Sequence, residues 1–316
     1  MTKQFLVITS NRSTTTTWAD RETALQDFMR QLEVRVPDIS ILYTTYDDIT
    51  CIVQGGVVGL RDERHDVDLA DVDMVHFKNW LFDSEQASMI ACYLEHHGVT
   101  YFNSEVNAGL AWGKISQMVR LAYGGVRVPD TYYAKNRRMR EVFGADGLPE
   151  GFTFPLILKA DDGAKGNDNH LIKTSEQAVA ILDKSVDKHY VVQNFLPNDG
   201  DYRFLFFGTD DTPIIFHRKA TDGGHLNNTS QGGSGSAVNP DTLPPDYVPM
   251  ARQAAVILKR EISGVDIIVD ATDGTAYVLE VNATPAIVTG YDVDHKNKLF
   301  AEFLQKQFGL ESAHND

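Results

Sequence analysis

Asp266, Glu280 and Asn282 are the residues of this 316-residue chain whose types and spacing point most directly to chemistry. All three offer oxygen ligands. Glu280 and Asn282 stand two apart in AYVLEVN, and side chains alternate along a strand, so both point to one face. Asp266 lies in GVDIIVD, a β-branched run that ends shortly before Asp273-Gly274. Asp-Gly between two such runs is the strongest short-range hairpin signal. If the hairpin Gly264–Pro285 sets Asp266 opposite the other two, two carboxylates and an amide oxygen converge. Oxygen-only sets suit Mg²⁺ or Mn²⁺, and Mg²⁺ is usually held by one or two carboxylates together with substrate phosphates. The competing reading is an ordinary hairpin with acidic residues on a wet face.

A second constellation lies upstream. A strand over Leu156–Lys159 runs into a turn containing Gly163 and Gly166, and a return strand covers His170–Lys173. Glycines let backbone N–H groups approach phosphate, and Lys159 at the strand end could hold one as a point charge. Neither GKIS at Gly113 nor GAKG has Walker A spacing, so a plain solvated turn competes with phosphate binding here. The net charge is −15, which removes the basic footprint that nucleic-acid binding needs. Binding a nucleotide then requires local cations or a metal, and Arg218 with Lys219 supplies such charge. DERHDVDLADVD lacks the glycine turn and bidentate Glu of a calcium loop and reads as a solvated loop. His96-His97 fit a helix end better than a metal site.

These residues need a sheet-based frame. QFLVIT near the start, Ile39–Tyr43, Ile52–Gln54, Met74–Phe77 and Val99–Phe102 read as strands. Helices over Asp20–Leu32 and Ser84–His97, the latter stopped by Gly98, alternate with them. This β-α-β order predicts an open, mostly parallel sheet for residues 1–106. The Ser10–Thr17 loop, with four consecutive threonines, either presents hydroxyls at that sheet's carboxyl edge or is simply solvated. A second unit, 107–190, carries helices Lys114–Tyr123 and Arg137–Phe143 and the glycine-rich hairpin. A third, 191–316, has strands over Tyr202–Phe207 and Pro213–His217, a polar glycine-rich loop, a helix over Ala251–Ile262, the opening hairpin, a closing helix over Val293–Phe308 and a disordered tail, Glu311–Asp316. The class is α/β with α+β units.

Apolar residues make up 42% and charged residues 23%, which suits a soluble protein with a sizeable core. No apolar run approaches the roughly 18–20 residues of a membrane span, and the opening segment reads as a strand rather than a signal peptide. No membrane partner is expected. Cys51 and Cys92, both in apolar settings, give neither a disulfide framework nor zinc spacing, which implies a reducing cytoplasm. A homo-oligomer is left open.

The order of Lys114, Lys159 with its glycine-rich loop, VVQNFLP, DYR, the segment from Arg218 to Gly233 and VDII…LEVNATP resembles the ATP-grasp superfamily. It is most similar to the RimK-like branch of carboxylate–amine ligases, over roughly Phe102 to Phe308. The resemblance implies an ATP-grasp fold, in which an N-terminal parallel α/β domain precedes two α+β subdomains that clamp ATP. It also implies that Lys114 and Lys159 contact the ATP phosphates beside a lid loop, Asp162–Asn167. Gln193, Asn194, Phe195 and Leu196 would form the hinge at adenine, Asp201 would lie near the ribose, and Asn228 would reach phosphate or metal. Asp266, Glu280 and Asn282 would hold Mg²⁺, while Arg203 and Arg218 would face the transferring phosphoryl group.

Two departures stand out. Asn194 replaces a common acidic residue, and ATPAIVTG replaces the usual glycine-rich ending, in the region that shapes the acceptor pocket. The implied activity joins a substrate carboxylate to an amine of an amino acid, peptide or protein tail, at the expense of ATP. The alternatives are a maturase of a ribosomal peptide, a small-molecule kinase and a nucleotide-binding regulatory protein.

Overall fold

The computed structural model describes residues 2–12, 17–109, 113–145, 147–161, 168–184, 188–219 and 234–310. The tail Glu311–Asp316 lies outside them.

The chain opens with β1 (Lys3–Thr9), α1 (Trp18–Arg35) and β2 (Ile39–Thr45). An arm follows, made of β3 (Ile49–Gln54), β4 (Val57–Asp62) and β5 (Val67–Asp68); then come β6 (Met74–Lys78), α2 (Ser84–His97) and β7 (Thr100–Phe102). The expected parallel sheet is present, in the order β2-β1-β6-β7. Ile52–Gln54, however, is not part of it. Those residues belong to the antiparallel arm, which reverses at Gly55-Gly56, both with positive φ, the backbone that a tight hairpin turn requires.

The arm carries Ile52, Val53 and Val57 into solvent. Cys51 and Cys92 are exposed as well, so their apolar sequence neighbours misstate their surroundings. The acidic stretch is also more than a solvated loop. Asp62 is fully buried and accepts a hydrogen bond from Thr44 Oγ1 at 2.7 Å, while Leu69 and Val72 enter the core.

Next come α3 (Lys114–Tyr123), β8 (Thr131–Tyr133), α4 (Asn136–Gly144), β9 (Leu156–Ala160), β10 (Asn169–Ile172), α5 (Ser175–Lys184) and β11 (Tyr190–Asn194). Their antiparallel sheet, β10-β9-β11-β8, buries Leu156, Leu158, Tyr190 and Val192 against Met139 and Phe143 of α4 and Leu182 of α5. The remaining elements are β12 (Asp201–Phe207), β13 (Ile214–Lys219), β14 (Ser234–Val238), α6 (Tyr247–Ile257), β15 (Ile262–Val269), β16 (Ala276–Asn282) and α7 (Val293–Gln307). Helix α6 begins and ends about a turn before the expected Ala251–Ile262. The chain turns at Lys259, which has positive φ, and Ile262 already belongs to β15.

The last sheet runs β14-β13-β12-β15-β16, all antiparallel. Alternation gives it two different faces. Phe204, Phe206, Ile215, Val265 and Ile267 point to one face, into a core with α6 and with Met118 and Leu121 of α3. On the other face, Leu205, Phe207, Ile214 and Phe216 join Phe300 and Phe303 of α7 and Phe5, Val7, Phe28 and Leu32 of β1 and α1. The N-terminal sheet and the last sheet therefore share one continuous core. On that same second face, toward the strand ends beyond the aromatic residues, lie Asp201, Arg203 and Arg218.

Candidate active site

The hairpin of β15 and β16 forms as expected, with Asp266 paired directly opposite Glu280 and Gly264 opposite Asn282. Simple alternation would not have produced this arrangement alone. The register shifts between Asp266 and Ile267, so that Val278 faces Ile267 and Leu279 is the extra residue of a bulge. The bulge lets Val278 and Val281 both enter the core with α6, while Glu280 and Asn282 share the opposite, half-buried face. Asn282 Nδ2 donates to Glu280 Oε1 at 2.9 Å.

The back of β16 is pinned at Val281. Its N–H donates to Gln117 Oε1 at 3.0 Å, and its carbonyl accepts from Arg260 Nη1. Arg260 is buried and pairs with buried Glu105 at 2.6 Å. Gln117 lies in α3, three residues after Lys114, so the helix that carries Lys114 is fixed to the strand that carries Glu280.

Charges on β12 and β13 complete this face. Register sets Arg218 opposite Asp201 and Arg203 opposite Asp266. Arg218 Nε donates to Asp201 at 2.6 Å and its Nη2 lies 3.0 Å from Asp266 Oδ2. Arg203 grips Asp266 with two bonds, from Nε to Oδ1 and from Nη2 to Oδ2, the latter at 2.7 Å. Gly264 makes room for it, because a Cβ there would stand 3.0 Å from the Arg203 guanidinium. Burial works against a charged Asp266, but Arg203 and Arg218 outweigh it and hold the carboxyl below its usual range. Asp201 goes the other way. Burial, with repulsion from Asp266, pushes it up to about 6 despite Arg218. Asp201, expected near the ribose, thus lies buried against Arg218.

Lys159 reaches this face from β9. Burial lowers its ammonium to about 8; Lys114 pushes the same way, while Glu280, Asp266 and Asp201 oppose it. One cation thus feels the carboxylates of the other sheet and the lysine of α3 together. Asp161, next to Ala160 at the end of β9, ties these elements. Its Oδ1 accepts from Ile115 N at 3.0 Å and its carbonyl from Lys114 Nζ at 3.4 Å. Gly113 permits the approach, since a Cβ there would lie 2.6 Å from the Asp161 carboxylate. No local pattern in the sequence marks Gly113, Gln117 or Asp161; GKIS, which lacks Walker A spacing, is the nearest signal.

Where the two sheets join, Gln193 Nε2 donates to Thr131 Oγ1 at 2.8 Å. Asn194 is the last residue of β11, Phe195 N donates to Pro155 O at 3.3 Å and Leu196 O accepts from Asn198 Nδ2 at 2.8 Å. Gly163, Gly166 and Asn228 lie outside the described residues.

Among the described residues no three His, Cys, Asp or Glu side chains form a metal-ligating group. The protein's own donors here are two carboxylates and one amide, and Asp266 shares its oxygens with two guanidinium groups. This set fits a hard cation whose remaining ligands are phosphate and water.

If a bound polyphosphate touches Lys159 and favours its charged form, binding at pH 8 is expected to draw in protons, with the uptake fading toward pH 6.5. Calorimetric titration in buffers of different ionisation enthalpy measures this. Lys159→Met should abolish the uptake and weaken ATP binding.

Comparison with known proteins gives a consistent picture. A family model described as the RimK-like ATP-grasp domain matches residues 112–305. A probable alpha-L-glutamate ligase of Mannheimia succiniciproducens is 27% identical over 251 residues, 77% of this chain and 80% of the relative. The tetrahydromethanopterin:alpha-L-glutamate ligase of Methanosarcina acetivorans is 27% identical over 284 residues, covering 81% and 83%. In fold, the chain resembles the ATP-grasp ligase PsnB complexed with minimal precursor, Mg and ADP. The TM-score is 0.66 at 15% identity, over 96% of this chain and 98% of the other.

Proposed function

Since this chain belongs to the RimK-like ATP-grasp family and is an ATP-dependent ligase that forms C–N bonds, we propose that it joins a substrate carboxylate to a substrate amine through an acyl phosphate, releasing ADP and phosphate. The observation that carries this reading is the junction of three elements: Asp161, two residues after Lys159, accepts from Ile115 N and Lys114 Nζ, and Gln117 of the same helix accepts from Val281 N, between Glu280 and Asn282. A triphosphate laid at that junction meets cations on one side and oxygen ligands on the other.

In the first step a carboxylate oxygen attacks the γ-phosphorus, the bond to the β-phosphate oxygen breaks, and ADP leaves. In the second step the amine nitrogen attacks the acyl carbon, phosphate departs, and the nitrogen's surplus proton passes to solvent. Such chemistry requires positioning and charge neutralisation rather than a covalent nucleophile. Lys114 and Lys159 hold the phosphates. Arg203, the more exposed of the two arginines, faces the transferred phosphoryl group, and Arg218 holds it there through Asp266. Glu280 and Asn282, with Asp266, would hold Mg²⁺, which when bound neutralises phosphate charge and withdraws electron density from the reacting phosphorus. The peptide backbone from Gln193 to Leu196 meets adenine.

Hydroxylamine in place of the amine tests the intermediate. With ATP, Mg²⁺ and a panel of carboxylates, ADP release should depend on the acid and yield a hydroxamate. A stably phosphorylated hydroxyl product would indicate a kinase instead, and tight ATP binding without turnover would indicate a regulatory protein. The panel starts with amino acids and acidic peptides. No helix among the described residues is long and apolar enough to cross a membrane.

A further inference from the structure

Three cations that the proposed chemistry does not use gather at the carboxyl edge of the parallel sheet. Lys78 ends β6, Arg21 lies near the start of α1, and Lys296 lies near the start of α7. Alternation sets Lys78 on the face of Met74 and His76, which pack on α1 and α7. Its partner in β1, Thr9, precedes Ser10, whose carbonyl accepts from Arg21. Burial, and then Arg21 and Lys296, lower the Lys78 ammonium. Arg21 donates to the carbonyls of Ser10, at 3.2 Å, and Asn11, and its Nε is buried with no partner among the described residues. Lys296 is 3% exposed and donates to the carbonyls of Ala286 and Thr289 at 2.8 and 2.7 Å.

Among the described residues, carbonyls rather than carboxylates hold Arg21 and Lys296; the acid that acts on Lys296 is Asp292. Withdrawing cations from water without counter-charge is costly, and this cluster stands in a chain of net charge −15. An anion is the missing partner. The cluster also adjoins the reaction site. Asn79, next to Lys78, donates its N–H to Thr284 Oγ1 at 3.4 Å. Thr284 follows Asn282 by two residues, about 7 Å along an extended chain. The carbonyls that hold Lys296 belong to the same stretch after Pro285.

We propose that Arg21, Lys78 and Lys296 form a docking site for a carboxylate that is not the one being activated, so that the acid and amine substrates together bring at least two carboxylates. This rests on the ligase reading above. The second carboxylate can come from the amine substrate, as the acid group of an amino acid, or from the acid substrate, as the far end of a dicarboxylate.

The test is calorimetric titration of the full chain, with ADP and Mg²⁺ present, using three probes: L-glutamate, glutarate and butylamine. Wild type is expected to bind at least one of the two acids and not butylamine. Lys78→Met, which keeps the stem of the side chain, should weaken acid binding roughly 10- to 100-fold, and Lys78→Arg should restore most of it. Glutarate binding as tightly as glutamate assigns the site to the acid substrate, whereas binding of glutamate alone assigns it to the amine substrate. Absence of acid binding to wild type, or unchanged affinity in folded Lys78→Met and Arg21→Met, overturns the proposal. Failure of the ligase reading shows separately, as ATP that is never turned over while the acid probes still bind.

Discussion

Glu280→Gln is expected to cut ADP release by at least about 10³-fold while leaving the fold in place. The substitution keeps the volume and can still accept from Asn282 Nδ2, but it removes one of the two carboxylate charges opposed across the hairpin. With Asp266 gripped by two arginines, Glu280 is the carboxylate best able to commit its charge to a cation. Its side chain lies on a half-buried face rather than in the core, so the melting temperature should move by no more than a few degrees. Steady-state ADP release at saturating ATP and Mg²⁺, read beside a thermal melt, checks both statements. Turnover at the wild-type rate would remove Glu280 from the metal site.

Arg218→Leu should act on stability instead, with a loss of about 3–5 kcal/mol. The side chains of Arg218, Asp201 and Asp266 are 8%, 7% and 4% exposed, so solvent screens little of their interaction. Without Arg218, Asp201 loses its 2.6 Å partner and Asp266 keeps only Arg203. Asp201, already raised by burial, then rises further, while Asp266, held by Arg203 alone, is lowered less than in wild type. A raised carboxyl destabilises where the unfolded chain ionises it, and that penalty fades as pH falls toward the unfolded value near 4. The deficit against wild type should therefore be largest above pH 7 and shrink steadily toward pH 4. Denaturant unfolding of both proteins at pH 8, 6 and 4.5 measures it; a pH-independent gap would mean that lost packing, not unpaired charge, is the cause.

The hairpin and its acidic residues were legible from sequence because Asp-Gly and strand alternation are local signals. The bulge at Leu279, which reconciles a core-facing Val278 with a site-facing Glu280, was not. Its effect shows only once the strand is laid against α6. The parallel sheet is readable from its β-α-β rhythm, yet Ile52–Gln54 reads as one more of its strands, because an exposed apolar strand looks in sequence like a buried one. Asp201 and Arg218 were visible as charges, but their pairing depends on the register of β12 with β13, which no local pattern specifies. Asp161 and Gly113 are separated by the whole of β8, α4 and β9, and only the tertiary fold brings them together.

One face of the last sheet holds the buried charges at one end and, at the other, the aromatic residues that pack on β1, α1 and α7. Removing the first hundred residues would strip the cover from Leu205, Phe207 and Phe216, on the very strands that carry Arg203 and Arg218. A fragment starting at Asn107 should therefore aggregate rather than survive as a minimal ATPase. The same geometry constrains how relatives of this chain could diversify. Exchanging the N-terminal segment wholesale between them would require matching aromatic surfaces as well as compatible substrates.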